Sequence, residues 1–149
     1  MTPLARSPTY DRRGRAIPYG TGLSVPVVHH SDRTAKAYAT GANSPYRYYY
    51  SQLYTKLKKA RLDIFKKRRD QPDSEITLDS ICDELIIHGS PEKVADELLA
   101  FREQVGDFGT LLYAGKDWRD PALGKRSMQL LAEKVMPKVN AAPAPKPKS

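Results

Sequence analysis

Gly89-Ser90-Pro91 is the stretch of this chain whose residue types and order most directly invite chemistry. It follows an apolar run, Leu85-Ile86-Ile87-His88, and opens an amphipathic one. A glycine lets an anion come close to the backbone, helix-end amides aim their N–H groups at it, and a serine hydroxyl adds a donor. The same residues also make an ordinary turn and cap. Serine is a good N-cap, proline suits the first helical position, and Glu92 favours the positive helix end. Tyr113, Asp117 and Trp118 form a second group, at and just past the end of the apolar run Thr110–Ala114. An aromatic hydroxyl, a carboxylate and an indole suit the lining of a small-molecule pocket. Equally, Trp118 can pack over a rim while Asp117 orders its loop. His29, His30 and His88 raise the question of a metal, which needs three or four converging ligands. Adjacent strand residues point to opposite faces, and no carboxylate has suitable spacing, so no metal site is predicted. Cys82, the single cysteine, reads as a small buried filler with nothing nearby to lower its pKa.

The elements that must position these residues follow from periodicity and caps. Leu85–His88 predicts a short buried strand ended by Gly89. Val94, Leu98, Phe101 and Val105 mark one face of a helix over 91–105, stopped by Gly106. Thr110–Ala114 predicts a second strand. Strand, helix and strand in close succession predict a βαβ unit with parallel strands and a right-handed crossover. Asp120 then caps a helix that begins at Pro121, carries Leu123, Met128, Leu131 and Val135 on its face, and is closed by Pro137. Upstream, residues 23–30 predict a short strand that Pro26 restricts to an edge or an end. Ser31 or Asp32 caps a helix through Thr40, and Gly41 to Pro45 breaks it. Residues 46–69 predict a long helix with an apolar stripe of Tyr46, Tyr49, Tyr50, Leu53, Tyr54 and Leu57, extended by Leu62 and Phe65. Leu78 to Leu85 predicts a short helix running into a strand. The plan is therefore an irregular arm over 1–22, a helical segment with one short strand over 23–84, a βαβα unit over 85–138, and a disordered Ala/Pro/Lys tail over 139–149.

Size narrows the classes. The chain has 149 residues, 40% hydrophobic, with 25 basic against 17 acidic side chains and a net charge of +8. That is material for one modest domain. A closed eight-stranded β/α barrel needs about 250 residues at its usual size. The lone cysteine excludes an intrachain disulfide and fits a reducing, cytoplasmic setting. No apolar run approaches the roughly 20 residues of a membrane span, and the Arg- and Pro-rich start has no apolar core of a secretory signal.

His88-Gly89-Ser90-Pro91-Glu92-Lys93-Val94-Ala95, Gly106-Asp107-Phe108-Gly109-Thr110-Leu111-Leu112, Asp117-Trp118 followed by Asp120-Pro121, and Ala132-Glu133-Lys134-Val135-Met136-Pro137 occur in this order. Together they resemble the last third of the luciferase-like, flavin-dependent monooxygenases, in particular the limonene-monooxygenase-like branch. The resemblance is strong over 85–138, weaker over 25–84 and absent from 1–22. It implies a partial (β/α)8 barrel: the last two or three βα units, with a long preceding helix and disordered termini. It implies reduced FMN, or in some branches a deazaflavin, as cofactor, a small organic substrate, and a flavin reductase as a possible partner. Gly89 and Ser90 would then face the cofactor, and Tyr113, Asp117 and Trp118 would line the substrate pocket. The strands that in the family supply most flavin contacts and the active-site histidine have no counterpart here, so no catalytic residue is assigned. The expectation is a C-terminal fragment, inactive alone, with one sheet edge and one face bare, and so poorly soluble, molten or dependent on a partner.

A non-enzymatic alternative is a basic interaction or nucleic-acid-binding module. Lys56 to Arg69 holds eight basic residues against Asp63 and follows the tyrosine-rich stretch. The tyrosines fall mostly on the stripe that should be buried, which makes them poor stacking platforms and a solvated helix face the simpler reading. A nucleic-acid partner is therefore not expected.

Overall fold

The computed structural model describes residues 24–59, 62–66, 70–105, 111, 113, 115–116 and 119–144. The valine-rich segment forms strand β1 (Ser24–Val28), followed by α1 (Asp32–Thr40) and α2 (Pro45–Leu57). Ser31 caps α1 by accepting from the Thr34 N–H at 3.3 Å. Ser44 caps α2 by accepting from the Tyr46 and Arg47 amides at 3.1 and 3.2 Å. Two short 3-10 turns, Leu62–Phe65 and Asp73–Glu75, lead to α3 (Leu78–Leu85), which Thr77 and Ser80 start with a reciprocal capping box. Helix α3 passes without a loop into strand β2 (Ile86–Gly89), and α4 (Pro91–Val105) follows. Beyond it lies α5 (Pro121–Leu130), capped by Asp120, which accepts from the Leu123 N–H at 3.0 Å.

The two strands pair in parallel, Ser24 with Ile86, Val27 with His88 and Val28 with Gly89, with an irregularity between Ser24 and Val27. The pleat splits their side chains between two cores. Val27 and Ile86 join Ala35, Ala39, Tyr46, Tyr50, Ile81 and Cys82 from α1 to α3. Val28 and Ile87 join Val94, Ala95 and Leu98 of α4 and Leu130, Leu131 and Val135 of the C-terminal helical run. Helices of the same chain thus cover both sides of the pair. Each fully buried Val, Leu or Ile contributes about 1.5–3 kcal/mol of transfer free energy. No helix among the described residues is long and apolar enough to cross a membrane.

Several expectations need correction. The strand expected over Thr110–Ala114 is not formed at Leu111 or Tyr113, and its other residues lie outside the described ones. Tyr113 instead packs against both cores, where it lies against Tyr46. The parallel partner of β2 is β1, reached through α1–α3. The long helix ends at Leu57, where the apolar stripe gives way to Lys58 and Lys59. Lysines at short spacing with no acidic partner disfavour another helical turn.

Pro137 does not close the last helix. A π turn over Leu131–Val135, with the Met136 N–H bonded five residues back to the Leu131 carbonyl, leads into α6 (Met136–Ala141). Proline lacks an N–H, and its ring crowds the carbonyl four residues back. The wider turn just before Pro137 relieves that crowding. Val139 is buried, so residues 139–141 belong to the helix and not to a solvated tail.

The outer edge of β1 is guarded. Pro26 in β1 has no N–H, and the Val28 N–H donates to the buried Ser127 hydroxyl of α5 at 2.8 Å.

Candidate functional site

Parallel β/α units gather chemistry at the C-terminal ends of their strands. Here those ends carry His29, His30 and Asp32 after β1, and His88, Gly89 and Ser90 at β2. Gly89 adopts φ +147°, a conformation that L side chains rarely take. A Cβ at this position would stand 2.7 Å from the Lys93 Cδ and 3.0 Å from the Asp32 Oδ1. Ser90 caps α4: its hydroxyl accepts from the Lys93 N–H at 3.4 Å, and its carbonyl from the Val94 N–H at 2.9 Å.

The Ser90 N–H is itself occupied. It donates to the Asp32 Oδ1 at 2.6 Å, which ties the first turn of α1 to the start of α4 across 58 residues. A flavin phosphate seeking that amide would meet a carboxylate already in place, and like charges at that distance repel. As folded, the Gly89–Ser90 turn does not fit a phosphate group, and the cap reading describes its geometry.

Two of the three histidines serve separate partners. The His29 Nδ1 accepts from the Ser31 N–H at 3.0 Å, and the His30 Nε2 lies 3.2 Å from the Arg126 guanidinium. The His88 Nδ1 is buried and has no hydrogen-bond partner among the described residues. Burial, then the cations Lys93 and Lys36, hold the His88 imidazole below its usual pKa. Among the described residues no three His, Cys, Asp or Glu side chains are grouped to hold a metal ion. Cys82 is fully buried, and burial pushes its thiol pKa up to about 11. Asp79 and Asp83 add to that rise, and Arg47 opposes it.

Of the pocket candidates, Asp117 and Trp118 lie outside the described residues. Tyr113 is placed against Tyr46, whose own ionisation burial and the Tyr113 contact push well above the usual range. An open groove of about 410 Å³ runs between α1 and the start of α5, lined by Thr34, Tyr38, Asn43, Arg119 and Leu123 among others. Of the sequence-derived site residues that are described, Gly89, Ser90 and Tyr113, none lines it. The residues that sequence reasoning missed are Asp32, read only as a helix cap, together with Arg119, Arg126 and Ser127. A serine inside an otherwise apolar helical face was the one local signal, at Ser127.

No family model matches the chain, and no curated protein matches it. Among solved structures it is similar to a type II Baeyer-Villiger monooxygenase, the oxygenating constituent of 3,6-diketocamphane monooxygenase from the CAM plasmid of Pseudomonas putida, in complex with FMN. The identity is 24% and the TM-score 0.68, over 83% of this chain and 34% of that one. At this identity the likeness is one of fold, and the chain spans about a third of that protein's length.

Proposed function

We propose that this chain forms the closing part of a luciferase-like, flavin-dependent monooxygenase barrel that oxidises a small organic substrate with reduced FMN once its remaining strands are supplied. The observation that carries this reading is the fold likeness, over 83% of the chain, to an FMN-bound oxygenating protein. The motifs over 85–138 support the same reading, and favour the limonene-monooxygenase-like branch and FMN over a deazaflavin. The two parallel strands belong to the last βα units of that barrel. The occupied amide of Ser90 agrees with a flavin held mainly by the barrel's other strands. The chain's own contribution is a wall: two strands, the capped turn at Gly89 and the helices that shield them. A cytoplasmic setting with a flavin reductase fits this role.

Co-expression tests it, with the chain paired to a polypeptide carrying the first five or six βα units of a luciferase-like monooxygenase. The expected result is a complex that binds FMN in a saturable way and consumes oxygen when a reductase and NADH are added, with neither part active alone. Turnover by the pure chain, or failure of the two parts to associate, would overturn it.

A further inference from the structure

We propose that the outward face of α2 binds single-stranded nucleic acid, by stacking on Tyr48 and neutralising phosphates with the surrounding lysines. The tyrosines are not all on the buried stripe. Tyr46 and Tyr50 are buried, whereas Tyr48 is 66% exposed and Tyr49 38%. Exposure continues along the helix and its end at Gln52, Thr55, Lys56 and Lys59, which fall at three- and four-residue spacing from Tyr48. From Tyr48 to Lys56 this face is about 12 Å long at the helical rise, with an aromatic ring at one end and an ammonium group at the other, and Lys59 follows in the turn just past the helix.

Charge selects the partner. From Arg33 to Leu62 the sequence has seven basic residues and no Asp or Glu. One of the seven, Arg47, is paired from outside by Asp79 at 2.6 Å and belongs to the fold. Lys56 and Lys59 make no ion pair among the described residues. Lys116 adds a cation 3.7 Å from the Tyr49 ring centroid, so an aromatic and a positive charge share the edge of the same face. A polyanion with flat, unstacked bases satisfies both features. A duplex offers the charge but keeps its base faces covered. This inference does not depend on the monooxygenase reading.

Fluorescence anisotropy of a labelled oligothymidylate of about 20 nucleotides tests it, on the full chain at several salt concentrations. Tyr48→Ala is expected to weaken binding about tenfold or more, with Tyr48→Phe close to the parent. Lys56→Gln with Lys59→Gln is expected to lower the slope of log K against log salt by about 1.4, two contacts at roughly 0.7 each. These are exposed positions, and circular dichroism checks that each variant is folded. Equal affinity for duplex DNA or heparin, or no effect of Tyr48→Ala, would overturn the proposal.

Discussion

Ser127→Ala removes the one side chain that satisfies the outer-edge amide of β1. Ser127 is 2% exposed, and its hydroxyl oxygen sits 2.8 Å from the Val28 nitrogen, a contact closed across 99 residues. Alanine leaves that N–H buried without an acceptor, at a cost of about 1–3 kcal/mol. Two effects work the other way. Alanine is the better helix former by a few tenths of a kcal/mol, and the serine hydroxyl no longer has to be desolvated. The net loss is therefore about 1–2 kcal/mol. For a chain of this size, each kcal/mol lowers the melting temperature by about 2–4 °C. Urea unfolding followed by circular dichroism gives the free energy, and native-state hydrogen exchange at the Val28 amide gives the cause. Exchange there should accelerate by about tenfold or more, and sedimentation should show concentration-dependent self-association as the edge opens. Stability within about 0.3 kcal/mol of the parent, with unchanged protection at Val28, would refute the idea that α5 guards this edge.

Gly89→Ala forces a Cβ toward Lys93 and Asp32 at a positive φ, so it should cost about 1–3 kcal/mol and loosen the Asp32–Ser90 bond, read as faster exchange at the Ser90 amide. Arg102 of α4 donates to the carbonyls of Val139, Ala142 and Pro143, so Arg102→Ala should cost about 1–2 kcal/mol and fray α6, checked by exchange at Asn140 and Ala141. His88 has a folded pKa below its unfolded value of about 6.5, so the unfolded chain holds the proton more tightly. Stability should fall as pH drops through 6.5 and stop falling below the folded value. His88→Gln should flatten that part of the profile of urea midpoint against pH.

Local signals in the sequence reached their targets. Ser31, Asp120 and the Ser90-Pro91 pair mark helix starts because a cap needs only its own next three residues. The stripe of Val94 and Leu98 marks the buried face of α4 for the same reason. What stayed hidden depends on residues far apart in the chain. The Asp32 carboxylate looks like first-turn helix chemistry until β1 and β2 pair and bring it to the Ser90 amide. Ser127 gives no sign of its partner 99 residues away. Thr110–Ala114 has strand-like residues, but the long-range contact of Tyr113 with Tyr46 decides where that tyrosine goes. Pro137 marks a stop by its own chemistry, and only the preceding π turn lets the helix continue.

The parallel pairing of β1 with β2 underlies both the fold likeness and the functional proposal, and nuclear Overhauser contacts in solution test it most directly. Cross-strand contacts should connect Val27 with His88 and Val28 with Gly89 in the pure chain in water. Contacts running in the opposite direction, or none between these segments, would contradict the account.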